Sequence, residues 1–132
     1  MEWKVKTEKV SYNLEAFVKD IGQDFLIAVW GGERPHIGAV AVAQPRPSLK
    51  DERVTSATAS VFCFLGHKED IIAKETAERI SSALNANVTV TAGIHWDNMD
   101  DTAIGLVVEN SRDLVTMIIE RIRAEKGVSR IL

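Results

Sequence analysis

The sequence predicts an α+β protein: a two-layer sandwich in which two to three helices pack on one face of a mostly antiparallel, mixed sheet of about six strands. Three observations predict this class. Apolar and polar residues alternate along much of the first half of the chain, as in half-buried strands. The period then changes to that of an amphipathic helix. One more short strand and further helical patterns follow, and strands followed mainly by helices give such layered domains.

The size and composition favour a soluble globular domain. At 132 residues the chain is long enough for one domain, predicted over residues 1–132, with its own core. The hydrophobic share of 45%, the charged share of 27% and the formal charge of −3 give no basic field for nucleic acid. Cys63 is the single cysteine, which excludes an internal disulfide and fits a reducing compartment. No apolar run approaches the ~20 residues of a membrane span. We therefore expect a cytoplasmic protein.

Five strands are predicted before the first helix. The first two alternate between apolar and polar residues, as expected of strands with one buried face. Asp20-Ile21-Gly22-Gln23 has the length and composition of a hairpin turn before the third strand. The third and fourth strands are apolar on both faces, which is typical of central strands covered on both sides. The five segments are residues 3–10, 12–18, 25–30, 37–43 and 54–64.

The segment from residue 44 to residue 53 is predicted to be a loop. Pro45 and Pro47 cannot donate to a sheet ladder, and charged residues follow them. In the fifth strand, Ser56, Thr58 and Ser60 form a row of hydroxyls on one face. Because a buried hydroxyl needs a hydrogen-bond partner, this row faces either a polar cavity or bulk water.

The second half of the chain is predicted to hold the helices. Ile72, Thr76, Ile80 and Leu84 recur every fourth residue, which predicts an amphipathic helix over about residues 68–86. A sixth strand is predicted over residues 88–94. A short helix is then expected over residues 102–109 and a longer one over residues 111–126, which Gly127 ends.

The segment with the strongest functional signal joins the third and fourth strands. Gly31 and Gly32 are predicted to start a turn, where they permit backbone angles closed to other residues and expose N–H groups to a ligand. His36 follows at the mouth of the next strand. His67 and His95 also lie where an apolar run ends, each near a glycine. The repetition of this arrangement at three strand ends indicates a site.

An anionic ligand is the preferred interpretation of this site. The N-terminus of the first helix offers N–H groups and the positive end of the helix dipole to a phosphate or carboxylate. Arg34, Arg46 and Lys68 add positive charge. Trp30 and Trp96 adjoin two of the histidine segments and offer aromatic surface to a planar ligand, although tryptophans beside strand ends are more often core residues.

A metal centre is the competing interpretation. His36, His67 and His95, together with Asp97, are suitable zinc ligands, but they are scattered along the chain without a paired metal-binding motif. Histidines that only satisfy strand ends are the third alternative. No catalytic residue is predicted, because no Gly-x-Ser-x-Gly motif is present and nothing marks Cys63 as a nucleophile.

Several of these segments resemble, in the same order, those of a known family. They are Gly31-Gly32 followed by Pro35-His36-Ile37-Gly38-Ala39-Val40-Ala41, then Pro45-Arg46-Pro47-Ser48, Gly66-His67-Lys68-Glu69-Asp70, and Ala92-Gly93-Ile94-His95 with Asp97-Asn98. Together they resemble the small prenylated-flavin chaperones, the LpdD-like proteins that accompany gallate-type and hydroxyarylic acid decarboxylases. The resemblance covers about residues 22–110, and the joint pattern is more specific than any one segment.

The resemblance implies a protein that is not itself an enzyme. It would bind prenylated FMN, or a similar flavin, as cofactor chaperone or accessory subunit of a UbiD-type (hydroxy)aromatic acid decarboxylase. The residues implied to line the ligand site are His36, His67, His95 and Asp97, and those implied to lie near the phosphate are Gly31, Gly32 and Lys68. The N-terminal hairpin and the last helix carry little of the resemblance and are candidates for the interface of a homo-oligomer.

Two functions of different classes are therefore possible, beside a purely structural role. A cofactor chaperone predicts tight binding of a modified flavin and no turnover. A small metal-dependent hydrolase or lyase using the three histidines predicts stoichiometric metal and activity that chelation abolishes.

Overall fold

The computed structural model describes residues 1–64 and 69–127, and in this part of the chain six strands form one sheet with two helices packed on one face. The elements are β1 Glu2–Lys6, β2 Leu14–Ile21, β3 Asp24–Gly32, β4 Ala39–Pro47, β5 Thr55–Cys63, α1 Asp70–Leu84, β6 Val88–His95 and α2 Asp101–Lys126. The predicted α+β class with a six-stranded mixed sheet is confirmed. No helix in these two ranges is long and apolar enough to cross a membrane.

The sheet consists of two antiparallel halves joined by one parallel pair. The strand order is β1-β2-β3-β6-β4-β5, and only β3 and β6 run parallel. Gly32 at the end of β3 lies opposite His95 at the end of β6. Because parallel strands bring their carboxyl ends to the same edge of a sheet, the segments that follow β3 and β6 are neighbours.

The core lies between the sheet and the helices. α1 packs on β4, β5 and β6, and α2 packs on β1 and β2. Alternate residues of each inner strand point into this layer, so only one face of the sheet supplies side chains to the core. The largest apolar side chains that are fully buried there are Leu14, Ile27, Ile80, Leu114, Ile118 and Ile122.

The other face of the sheet is open in the described part of the chain, so the prediction that the central strands are covered on both sides is wrong for a single copy. Leu26 of β3 is 38% exposed and Val42 of β4 is 52% exposed on this face. The hydroxyl row of β5 lies on the same face. Thr58 and Ser60 are exposed, and Thr58 accepts a hydrogen bond from Arg46 at 2.7 Å. The row therefore faces solvent.

β4 extends further than predicted, and Pro45 and Pro47 both lie within it. Ser48 N–H donates to Val54 at 2.8 Å, which directs Ser48 towards the β5 side. Neighbouring residues of a strand direct their backbone groups to opposite sides, so both prolines face the other side. Pairing with β6 has already ended there at Ala43, and no N–H is needed. The predicted loop is therefore wrong over its first four residues.

α2 is one helix where two were predicted. Asn110 and Ser111 have the composition of a break, but both side chains find partners compatible with a continuous helix. Asn110 donates outside the helix to the carbonyl groups of Ser11 and Tyr12 at 3.0 and 2.9 Å. Ser111 Oγ donates to Val108 one turn back at 2.6 Å. With both polar groups satisfied, nothing interrupts the helical hydrogen bonds.

An ionic cluster at Asp20 fastens the end of β2 to α2. The Asp20 carboxylate accepts hydrogen bonds from the Met1 amino group at 2.7 Å and from Lys126 Nζ at 3.0 Å. These two bonds, that of the amino group first, lower the pKa of Asp20 from 3.8 to about 2.

We expect the substitution Asp20→Asn to destabilise the protein in a pH-dependent way. Because the folded-state pKa lies below the unfolded value, the carboxylate stabilises the fold above about pH 4, and this contribution is lost as the pH falls towards about 2. The variant should have a lower Tm than wild type at pH 7, and the difference should shrink between about pH 4 and pH 2. Thermal melts followed by circular dichroism test this; a pH-independent difference would contradict it.

Candidate functional site

The candidate site lies at the carboxyl ends of β3 and β6. The loop of residues 33–38 leaves β3, crosses the end of β6 and enters β4 on its far side. Two backbone hydrogen bonds hold it there. Glu33 N–H donates to His95 at 2.8 Å, and Gly38 N–H donates to Ala92 at 2.9 Å. The loop is therefore anchored at both ends to the same strand.

Gly93 allows this loop to lie directly on β6. A Cβ atom at Gly93 would overlap the backbone carbonyl group of His36. Gly32 is constrained in the same manner: its φ is +92°, and a Cβ there would overlap the carbonyl group of His95. Both positions therefore need glycine because another backbone segment approaches closely.

The turn begins at Glu33, so the prediction that Gly31 and Gly32 start it is wrong. Both glycines belong to β3 and pair with β6, and Gly31 also lies opposite Leu14 of β2. A Cβ at Gly31 would lie 2.5 Å from the Leu14 side chain and 3.3 Å from the indole of Trp96. The two glycines thus make room for neighbouring groups at the end of the strand.

Glu69 joins the loop to β6 at the start of α1. Its carboxylate is buried, with the residue 8% exposed, and it lies 2.8 Å from His36 Nε2 and 3.3 Å from the N–H of Ile94. β4 begins at Ala39 opposite Ala92, so the carboxylate occupies the ladder position beside Ile94 that β4 does not reach. A side chain at Gly38 would collide with it.

The ring of His36 is held at both nitrogens. Nδ1 lies 2.7 Å from the carbonyl oxygen of Arg34, and Nε2 faces Glu69. A carbonyl oxygen can only accept, so Nδ1 donates to it, while Nε2 lies within hydrogen-bond distance of the carboxylate. His36 is thereby fixed in orientation by a backbone group and a buried acid.

His95, Asp97 and Arg34 form a second cluster on the surface of the same edge. His95 Nε2 lies 2.9 Å from Asp97 Oδ1, and Arg34 donates to the same oxygen at 3.4 Å. The hydrogen bond from His95 and the charge of Arg34 lower the pKa of the Asp97 carboxyl below its usual value. Asp97 is thus a carboxylate at neutral pH, and it positions His95 and Arg34.

A cleft of about 400 Å³ opens beside these clusters, within the ~300–1,000 Å³ typical of small-molecule sites. Aromatic rings, the β3 glycines and a few charged groups line it. Tyr12 packs edge-on against Trp96 with ring centroids 5.1 Å apart, and Trp30 Nε1 donates to Glu15 at 3.2 Å. The lining residues are Lys6, Tyr12, Asn13, Glu15, Trp30, Gly31, Gly32, Glu33, Pro35 and Trp96.

The backbone of Tyr12 is strained within this cleft. Its φ is +58°, a left-handed conformation that costs a non-glycine residue about 1–2 kcal/mol. The buried side chain of Asn110 holds it by donating to the carbonyl groups of Ser11 and Tyr12. α2 therefore fixes a turn whose aromatic side chain forms one wall of the cleft, and strain of this kind concentrates at functional positions.

The structure brings together six of the nine residues predicted for the ligand site. Gly31, Gly32, Arg34, His36, His95 and Asp97 all lie at or beside the ends of β3 and β6. Arg46 lies elsewhere: it is near the far end of β4 and donates to Thr58 and to the carbonyl group of Pro47. His67 and Lys68 lie outside the described residues.

Sequence reasoning missed the contribution of the N-terminal hairpin to the cleft. β2 pairs with β3 so that Leu14 lies opposite Gly31 and Glu15 opposite Trp30. The turn predicted at residues 20–23 joins β2 to β3 and fixes this register, so the sequence did contain a signal for the position of β2. The role of Glu69 had no comparable signal, because it depends on a contact between the start of α1 and the loop.

For the alternative of a metal centre, the described residues contain no group of three His, Cys, Asp or Glu side chains that could hold an ion. His36 and His95 have different carboxylate partners, Glu69 and Asp97. Since His67 lies outside the described residues, the metal centre stays an untested alternative.

Fold and site together define a class: an α+β protein with an aromatic, ligand-sized cleft at the carboxyl ends of its parallel strand pair. The family model of the prenylated flavin chaperone LpdD-like domain matches residues 8–123. Protein LpdD of Lactiplantibacillus plantarum is 31% identical over 118 residues, which cover 89% of this chain and 83% of that protein. The chain therefore belongs to the LpdD-like prenylated flavin chaperone family, as the sequence motifs predicted.

Among solved structures, a chain from a chaperone complex for yeast 20S proteasome assembly aligns with a TM-score of 0.45. The alignment covers 87% of this chain and 98% of that chain at 11% identity.

The need for glycine beneath the loop can be tested with Gly93→Ala and a matched control in α2. We expect Gly93→Ala to lower the free energy of unfolding by more than about 1 kcal/mol, because the new methyl group displaces the backbone of His36. In Gly105→Ala the new methyl group meets nothing within 4 Å in a helix, so stability should rise by about 0.5–1 kcal/mol. Urea denaturation of both variants measures this; equal effects would contradict the close approach.

Proposed function

We propose that this protein binds prenylated FMN at the cleft formed by β2, β3 and Trp96. In this proposal it serves as cofactor chaperone or accessory subunit for a UbiD-type (hydroxy)aromatic acid decarboxylase. The observation that carries the proposal is membership of the prenylated flavin chaperone family over residues 8–123. The aromatic lining of the cleft and the exposed Arg34 beside it support the proposal independently.

The cleft suits a planar ring system. Trp30, Trp96 and Tyr12 offer aromatic surface to a flat ligand, and the backbone of Gly31 and Gly32 lines the same cleft. The indole of Trp30 is oriented by Glu15, and the ring of Tyr12 is held against Trp96. A ligand would therefore meet walls that are already ordered, which lowers the entropy lost on binding.

The surface cluster beside the cleft suits the phosphate end of a flavin nucleotide. The side chain of Arg34 is 70% exposed, and its one contact with Asp97 is long, at 3.4 Å. Among the described lining residues, Lys6 adds a second positive charge. Either cation can form charge-assisted hydrogen bonds to a phosphate. Asp97 keeps Arg34 and His95 at the rim, and Lys68, outside the described residues, stays a predicted contributor.

The proposed role is binding without turnover, in which the protein shields or transfers the cofactor. His36, His95 and Asp97 then act as orienting groups: they fix the loop and the rim of the cleft. The alternative of a small metal-dependent hydrolase or lyase is tested by metal analysis of the purified protein and by assay after chelation. Stoichiometric metal together with chelator-sensitive activity would favour that alternative.

The site can be tested by titrating the protein with prenylated FMN under anaerobic conditions and following tryptophan fluorescence. We expect Arg34→Gln to weaken binding about tenfold or more, because a hydrogen bond to a charged group contributes about 1.5–3 kcal/mol. Arg53→Gln is the matched control, since Arg53 is also an exposed arginine paired with an aspartate, Asp51. Arg46→Gln measures whether that residue contributes from the far end of β4, where we expect no effect.

The outcomes of this titration separate the site from a general effect of charge. Loss of affinity in Arg34→Gln alone supports the proposed contact between Arg34 and the phosphate of the ligand. Equal losses in Arg34→Gln and Arg53→Gln would point to a general charge effect, and no binding by the wild-type protein would overturn the function. In a second assay, the apo form of a UbiD-type decarboxylase should gain activity faster from cofactor presented with this protein than from free cofactor, while the protein alone shows no turnover.

A further inference from the structure

A second cavity, the α1–α2 groove, lies between the two helices and shares no lining residue with the cleft. The helices run side by side in the same direction, because Arg112 pairs with Glu75 and, further along both helices, Arg123 reaches Ala83. The volume of the groove is about 370 Å³, which is in the range of small-molecule sites. The lining residues are Arg79, Ser82 and Ala83 of α1 and Thr116, Ile119, Glu120 and Arg123 of α2.

Two arginines of the groove have only uncharged hydrogen-bond partners. Arg79 donates to the carbonyl group of Arg112 at 3.1 Å and to the hydroxyl of Thr116 at 3.2 Å. Arg123 donates at 3.0 Å to the carbonyl group of Ala83, one of those that the end of α1 leaves without an intrahelical partner. In the part of the chain that the structure describes, neither guanidinium lies within ion-pair distance of a carboxylate, whereas that of Arg112 does.

The groove therefore retains positive charge that its own residues do not neutralise. Both arginine side chains are half-buried, and a charge that is partly withdrawn from water is stabilised by a counter-ion. Each guanidinium carries five N–H donors, and the contacts with neutral oxygens occupy only part of them. Donors of both groups thus stay available to an anion.

The spacing of the two arginines suits one small ligand. Arg123 contacts Ala83, which lies one helical turn beyond Arg79, so the two guanidinium groups lie about 5–10 Å apart. Ile119, which is 7% exposed, and Ala83 give the same groove an apolar part. A molecule with an anionic group and a short carbon skeleton would contact both parts at once.

We propose that the α1–α2 groove binds a small organic anion, whose phosphate or carboxylate group accepts charge-assisted hydrogen bonds from Arg79 and Arg123. The planar fork of a guanidinium matches the oxygens of either group. Glu120 lines the same groove and is exposed, so its carboxylate repels the ligand and limits the affinity. Because the groove is separate from the cleft, this proposal does not depend on flavin binding.

The groove can be tested by titrating the ¹⁵N-labelled full chain with inorganic phosphate, and in parallel with acetate, at an ionic strength held constant with sodium chloride. The Nε–H signals of Arg79 and Arg123 and the amide of Thr116 report on binding. We expect shifts that saturate with a dissociation constant of about 1–10 mM for at least one of the two anions. Shifts that stay linear with both anions, or that are absent from these three residues, would overturn the proposal.

Variants with opposite changes of charge separate a site from a general effect of charge. Arg79→Gln and Arg123→Gln should each weaken the binding of the anion about tenfold, because each removes a charged donor. Glu120→Gln should tighten it about twofold, because it removes a repelling charge. Arg53→Gln, outside the groove, should leave the affinity unchanged. A loss in Arg53→Gln equal to that in Arg79→Gln would contradict the site.

A purely structural role of the two arginines predicts a different result. In that case Arg79→Gln would lower the Tm by loosening the contact between the helices, while the affinity for the anion would stay that of wild type, and this outcome also overturns the proposal. Arg79→Lys keeps the charge but loses the fork, so it should bind the anion better than Arg79→Gln does. Circular dichroism of each variant establishes that it is folded.

Discussion

The buried carboxylate of Glu69 is the group on which the geometry of the candidate site depends. It satisfies the N–H of Ile94 where the β4 ladder is missing, and it holds the ring of His36. Without it, a partly buried backbone donor would lose its partner, which costs about 1–3 kcal/mol, and the loop of residues 33–38 would lose its side-chain anchor. The start of α1, the end of β6 and the loop are thus fixed relative to one another by one acid.

The parallel pairing of β3 with β6 then explains why the site forms at this edge. Strand ends that are distant in sequence meet there, and the loop after β3 can reach β6 only because Gly93 has no side chain. The hairpin of β1 and β2 completes the cleft with Tyr12 and Lys6, and Asn110 of α2 holds the strained backbone of Tyr12. All layers of the fold therefore contribute to the cleft, although no helix lines it among the described residues.

Much of this fold could be predicted from the sequence because alternation and helical periodicity are local signals. The six strands and the helix after β5 were readable in this way, whereas the family resemblance rested on short motifs in a fixed order. The extension of β4 through Pro47 was not readable, because tolerance of the two prolines depends on where β6 ends. The continuity of α2 was missed because the Asn110 side chain is satisfied by a turn almost a hundred residues away in sequence.

The site was predictable to a similar extent. Glycines and histidines at strand ends indicated its position, since such residues mark places where chain segments approach or bind. Arg46 was included for its charge alone, and its distance from the other residues follows from the antiparallel direction of β4, which carries it to the opposite end of the sheet. Glu69 looked like a helix-terminus residue, and only tertiary packing assigns it to His36.

The most direct test of the flavin-binding cleft is a map of amide and indole chemical shifts in ¹⁵N-labelled protein as prenylated FMN is added. We predict the largest shifts at the amides of Gly31 and Gly32 and at the indole N–H groups of Trp30 and Trp96. Shifts concentrated instead in the groove of α1 and α2 around Arg79 and Arg123 would contradict binding at this cleft.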